Sequence, residues 1–253
     1  MLTRAHTIAA ATLSLLLWSR AASAGQAPQT PPQPPPPPPH VEGSGELSFV
    51  NTSGNTATNT LAAGGSVTYR PLPWVIDLKA AFVRASSNDV VNTKSFAFGS
   101  RLSRDLTKRT ALFVQYDFLM SRFAGIDQRH TIAAGLAYKL VDQARQTLRV
   151  DAAIGWANQH PVGAPSSSNA TFLAGAGYKY KIADTSEFTE DVRIVESLAH
   201  GSDYRVDNTV ALTAKVSKVF SLKLTHLLHF VNVPTPGFKQ TDAILSAAIV
   251  AKF

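Results

Sequence analysis

Four pairs of opposite charge stand two residues apart along this chain: Asp77 with Lys79, Arg149 with Asp151, Asp191 with Arg193, and Arg205 with Asp207. In an extended strand such residues point to the same side, about 7 Å apart by strand rise. Each pair can bridge along its own strand or to a neighbour. Arg70, Arg101, Asp117, Lys139, Lys179, Lys215 and Lys223 occupy matching positions, and of the fifteen residues ten are basic and five acidic. Lining an open lumen, a surplus of fixed positive charge favours anions. Bridged to one another, the same side chains fill and close a small lumen. The residue types allow both.

Hydrolytic chemistry has one candidate, His200-Gly201-Ser202 with Asp203 beside it. A base and its nucleophile must meet, and residues two apart on a strand would. This segment reads instead as a loop centred on glycine, with no group to stabilise an oxyanion, so no catalytic residue is assigned. His226 and His229 are three apart in one strand, face opposite sides, and do not share a metal. With no cysteine in the chain, thiol catalysis, disulfides and cysteine-based metal sites are excluded. No phosphate loop, dinucleotide fingerprint, HExxH or EF-hand is present, and neither a metal nor a cofactor is expected.

The elements that must position these charges are strands. Leu112, Val114, Tyr116, Phe118 and Met120 alternate with Gln115 and Asp117, and the pattern repeats as Ile132, Ala134, Leu136, Tyr138, Leu140 and as Leu148, Val150, Ala152, Ile154, Trp156. One face stays apolar from strand to strand. From Gly45 onward we read about twelve strands, joined alternately by short turns (such as Pro71 to Pro73) and longer polar loops (such as Asn158 to Asn169). Glu190 falls on the apolar face of its strand, which suggests a bulge or a slipped register there. Aromatics near strand ends, including Tyr69, Trp74, Tyr138, Trp156, Tyr178, Tyr180, Phe220 and Phe230, are expected to form interfacial girdles. The last strand carries Leu245, Ala247, Ile249 and Ala251 and closes on Phe253, a terminal aromatic of the kind read as an assembly signal by barrel-assembly machinery.

Composition fits a barrel in a membrane. Residues 1–24 read as a secretory signal, with Arg4, an apolar core from Ile8 to Trp18, and Ala22-Ser23-Ala24 before the cut. No apolar run of roughly 18 residues follows, so a membrane-spanning reading requires a closed sheet, which alone can pair all backbone groups without helices. The mean hydropathy of +0.00 suits strands with one face to lipid and one to water. Without Arg4 and Arg20 the chain keeps 22 basic and 17 acidic residues, a net +5 too diffuse for nucleic acid. Residues 25–43 contain nine of the 15 prolines and are expected to be a disordered, polyproline-type periplasmic linker, either a plain spacer or a docking segment for a periplasmic partner. Residues 44–253 form the expected domain, an all-β transmembrane antiparallel β-barrel. Its expected surroundings are outer-membrane lipid, and its expected state a monomer.

Gly45-Glu46-Leu47-Ser48-Phe49-Val50-Asn51-Thr52-Ser53-Gly54-Asn55-Thr56, followed by Gly64-Gly65-Ser66-Val67-Thr68-Tyr69-Arg70, resembles the YdiY-like family of salt-induced outer-membrane proteins. In that hairpin Gly54 and Asn55 tolerate the positive φ that a tight turn needs. The resemblance implies an outer-membrane barrel, supplies no catalytic residues, and suggests a link to osmotic stress. The expected function is passive: envelope structure or permeation of small polar or anionic solutes. The alternatives are an outer-membrane lipid ester hydrolase, and a surface receptor that binds ligands or partners through its outer loops.

Overall fold

The computed structural model describes residues 40–52, 58–88 and 90–253. The signal, most of the proline-rich linker and the Gly54-Asn55 turn lie outside the described residues. Twelve strands follow in chain order: β1 (Val41–Thr52), β2 (Thr58–Tyr69), β3 (Trp74–Ser87), β4 (Val90–Asp105), β5 (Thr110–Ser121), β6 (Ile126–Asp142), β7 (Gln146–Pro161), β8 (Ser167–Ala183), β9 (Ser186–Ser197), β10 (Tyr204–Lys215), β11 (Phe220–Val231) and β12 (Thr241–Lys252). Each pairs antiparallel with its sequence neighbours, and β1 pairs with β12 where Ser44 to Leu47 meet Lys252 to Ile249, so the sheet closes into a barrel.

Closure depends on the two ends of the chain. The backbone of Phe253 exchanges hydrogen bonds with Gly43, N–H to O at 3.0 Å and O from N–H at 2.8 Å. Its ring lies against Gly43, where an added Cβ would stand 2.2 Å from Cε2. Only glycine leaves that space. The sheet thus begins at Val41, taking in residues assigned by composition to the linker.

The alternation read in the sequence sets the two faces. Ile154 and Leu245 are 68% and 70% exposed on the outside, whereas Phe113, Ala153 and Leu173 on the other parity are buried inside. Outside the barrel, Tyr69, Trp74, Tyr138 and Phe220 gather at the end that carries the termini, and Trp156 and Phe230 at the loop end. Such belts suit the two interfaces of a bilayer.

Several strands run past their apolar cores. β6 starts at Ile126, ahead of the alternation that begins at Ile132, and β7 reaches Pro161, inside the loop read from Asn158 to Asn169. The added residues, such as Gln128 to His130 and Asn158 to His160, are polar on both faces, as a ladder standing above the bilayer should be. Glu190 shows neither bulge nor slip. The register of β9 with β10 is unbroken, and Glu190 faces outward, where the Asn208 amide donates to its Oε1 at 3.1 Å. Pairing lowers the cost of a carboxylate on the lipid side.

Candidate lumen site

Register places every candidate charge on the inner parity: Arg70 on the residue after β2, Asp77 and Lys79 on β3, Arg101 on β4, Asp117 on β5, Lys139 on β6, Arg149 and Asp151 on β7, Lys179 on β8, Asp191 and Arg193 on β9, Arg205, Asp207 and Lys215 on β10, and Lys223 on β11. The barrel brings some of them together across its interior. Arg101 of β4 reaches Asp151 of β7 at 3.5 Å, and Arg193 of β9 reaches Asp117 of β5 at 2.9 Å. Arg193 also approaches Asp207 on the next strand at 3.9 Å. Of the four i, i+2 pairs only one bridges along its own strand, Arg149 to Asp151 at 3.4 Å. Asp77 instead accepts a hydrogen bond from the Thr68 hydroxyl.

Other candidates find partners that sequence spacing does not reveal. Lys223 pairs with Glu46 at 2.8 Å over the intervening β12, Lys179 with Glu187 at 2.7 Å, Arg70 with Glu42 at 3.0 Å, and Lys139 with Asp142 at 3.5 Å. Glu46 and Glu187 narrow the basic surplus. For Lys79 and Lys215 no carboxylate among the described residues comes within ion-pair distance.

One side of the lumen is packed. Phe113, Ala133, Ala137, Ala153, Leu173 and Val195, from β5 to β9, form an apolar cluster inside the barrel. The Arg101 guanidinium sits 3.5 Å over the Phe113 ring, capping that cluster with a cation that the aromatic face attracts. Small residues let the acids lie flat along this wall. Asp151 leans over Gly175 and Asp117 over Gly99, where an added Cβ would stand 2.9 Å and 3.2 Å from the respective carboxylates.

The other side is wetter. Lys79 and Ala81 point inward from β3 yet are exposed, and Leu227 on the facing wall of β11 is 38% exposed. Ser44 and Ser66, from β1 and β2, share a hydrogen bond between hydroxyls in the same region. At the loop end the β11–β12 connection reaches across the mouth. The Thr235 hydroxyl donates to the Gly125 carbonyl at 3.3 Å, and Gly125 follows β5, six strands away around the ring. Gly125 has φ of 77°, and an added Cβ there would stand 2.9 Å from the Phe238 ring, so both backbone and space call for glycine.

His200, Gly201 and Ser202 lie exposed in the β9–β10 turn, which is held by backbone bonds from Asp203 N–H to His200 O and from Ser197 N–H to Asp203 O. Among the described residues no hydrogen bond joins the His200 imidazole to the Ser202 hydroxyl. His226 points outward and His229 inward, where its Nδ1 meets Asp207. No group of three or more metal-ligating side chains occurs among the described residues.

Sequence reasoning passed over Arg129, Glu46, Glu187 and Phe113. Arg129 was hidden by starting its strand at Ile132. Phe113 shares the parity of Gln115 and Asp117, and that parity was the available signal that it faces inward.

The sequence pattern of a family described as a protein of unknown function, DUF481, matches residues 45–253, the whole barrel from the middle of β1. The chain belongs to the DUF481 family. A curated relative of this DUF481 barrel, the uncharacterised protein YdiY of Escherichia coli (strain K12), is 24% identical over 185 residues, covering 73% of this chain and 72% of the relative. Among solved structures, an outer membrane channel from Pseudomonas putida F1 superposes with a TM-score of 0.52 at 10% identity, covering 84% of this chain and 95% of that one. The NanC porin superposes with a TM-score of 0.46 at 8% identity, covering 84% and 97%. The likeness to the Pseudomonas putida channel shows that this DUF481 chain has the fold of an outer-membrane barrel.

Proposed function

We propose that this protein is a non-enzymatic outer-membrane channel of narrow bore that passes small polar solutes and favours anions. Its termini and short turns would face the periplasm and its longer loops the exterior. The observation that carries this reading is the uneven lumen. The half from β5 to β9 is packed, while inward-facing Lys79 and Ala81 remain exposed to water along β3. A wet strip bearing an unbridged ammonium lowers the barrier for anions more than for cations.

The ion pairs that cross the lumen keep the bore small. They tie together strands three and four places apart around the ring, and the β11–β12 segment resting on Gly125 restricts the outer mouth. Such a pore suits slow exchange of small solutes, in keeping with a part in osmotic adjustment. The test is solute flux through the mature protein in liposomes. Preloaded chloride or nitrate should exchange faster than potassium or ammonium, and the difference should shrink with Lys79→Gln. Flux no greater than that of empty liposomes would overturn the proposal.

A further inference from the structure

The loop-side half of the lumen holds a cavity of about 60 Å³ that brings together charges from four strands and a histidine from a fifth. A single water needs roughly 10–15 Å³ of such space, so the cavity has room for about four to six waters or one small organic ion. Three guanidiniums face it, from Arg129, Arg193 and Arg205, against two carboxylates, Asp117 and Asp207. Arg193 holds both carboxylates. Arg129 is 6% exposed, and its side-chain hydrogen bond runs to a neutral acceptor, Gln159 Oε1, at 2.7 Å. Arg205 donates to another neutral group, the Thr131 hydroxyl, at 3.3 Å. Among the described residues neither has a carboxylate within ion-pair distance. Among the lining residues guanidiniums outnumber carboxylates by one.

A second observation points to a ligand. His229 Nδ1 is engaged by Asp207, while its Nε2 is buried and has no hydrogen-bond partner among the described residues. In the neutral ring whose Nδ1–H donates to the carboxylate, Nε2 is a bare acceptor for which no described residue supplies a donor. The remaining wall is apolar, formed by Leu119, Leu173 and Val195. From these features we infer that the cavity binds a small hydroxycarboxylate monoanion. Its carboxylate meets Arg129 and Arg205, its hydroxyl donates to His229 Nε2, and its short carbon chain lies on the leucines and the valine. A guanidinium suits this task because its planar fork can donate two parallel bonds to one carboxylate.

This deepens the channel reading by naming a solute class, and it rests on that reading only for access to the lumen. The test is therefore binding rather than flux: isothermal titration of sodium lactate into the folded mature barrel in detergent micelles, with propionate and phosphate as comparisons. Lactate should bind saturably, about tenfold more tightly than propionate, because one hydrogen bond to an otherwise bare acceptor is at stake. Phosphate should bind more weakly than lactate. Arg129→Gln and, separately, Arg205→Gln should each weaken lactate at least tenfold in barrels that keep heat-modifiable gel mobility, and His229→Leu should erase the preference over propionate. No saturable lactate binding, equal binding of propionate or phosphate, or no effect of either arginine substitution would overturn the assignment. Lactate binding in a barrel that conducts nothing would leave the site standing and remove the channel.

Discussion

Arg193 Nη1 lies 2.9 Å from Asp117 Oδ2, although three strands separate β9 from β5 around the wall. The pair is a strut across the lumen, steadied by Gln115, whose amide donates to the same oxygen at 2.9 Å. Both side chains are about one-third exposed or more, 40% and 32%, so the strut is worth only about 1 kcal/mol. Its larger effect is on bore. Asp117→Asn keeps the shape and removes the charge. The expected outcome is a small fall in the urea midpoint in lipid vesicles and a larger single-channel conductance. A marked fall in stability with no change in conductance would mean that the pair packs the wall without restricting the pore.

Gly175 tests how closely the acids lie against the wall. An alanine Cβ there would meet Asp151 Oδ2 at 2.9 Å, and Asp151 is held by both Arg101 and Arg149. Gly175→Ala should destabilise the barrel by about 1–3 kcal/mol, the usual cost of overpacking. Gly45→Ala has open space around its added carbon and should change stability by less than about 0.5 kcal/mol. Unfolding midpoints of the two variants, measured side by side, check the contrast.

The seam between Gly43 and Phe253 makes a prediction about assembly. Gly43→Val drives a side chain into the terminal ring and should reduce the yield of heat-modifiable, folded barrel several-fold. Adding Phe253→Ala should restore part of that yield in vitro, since the two groups compete for one space. Independent losses that simply add would contradict the contact.

The β11–β12 segment offers a test of the outer mouth. Replacing Val233 to Lys239 with a short glycine-serine turn removes the contacts of Thr235 and Phe238 with Gly125. Conductance should rise while the strands, paired independently of this loop, keep their folded signature. Unchanged conductance would place the restriction deeper, at the arginine pairs.

Much of this architecture is legible in the chain because strand side chains alternate. Leu112, Val114 and Tyr116 point to lipid, Gln115 and Asp117 point inward, and the short turns fall where prolines and acid-base clusters interrupt the pattern. What alternation does not carry is which inner residues meet. Arg101 and Asp151 are fifty residues apart and touch only because the sheet closes. Lys223 finds Glu46 through the β1–β12 seam, a contact with no local signature. Strand ends above the bilayer are also hidden, because both faces there meet water and the period vanishes. Arg129 was lost for that reason, and with it one of the cavity's three guanidiniums. Glu190 shows the opposite case: the pattern placed it outward, and the physical objection to a lipid-facing carboxylate is met by Asn208.

The most direct test of the channel is single-channel recording of the refolded mature protein in a planar bilayer under a salt gradient. The account predicts small, steady conductance steps with a reversal potential on the anion side, moved toward zero by Lys79→Gln. A correctly folded barrel that is silent, or one that prefers cations, would contradict it.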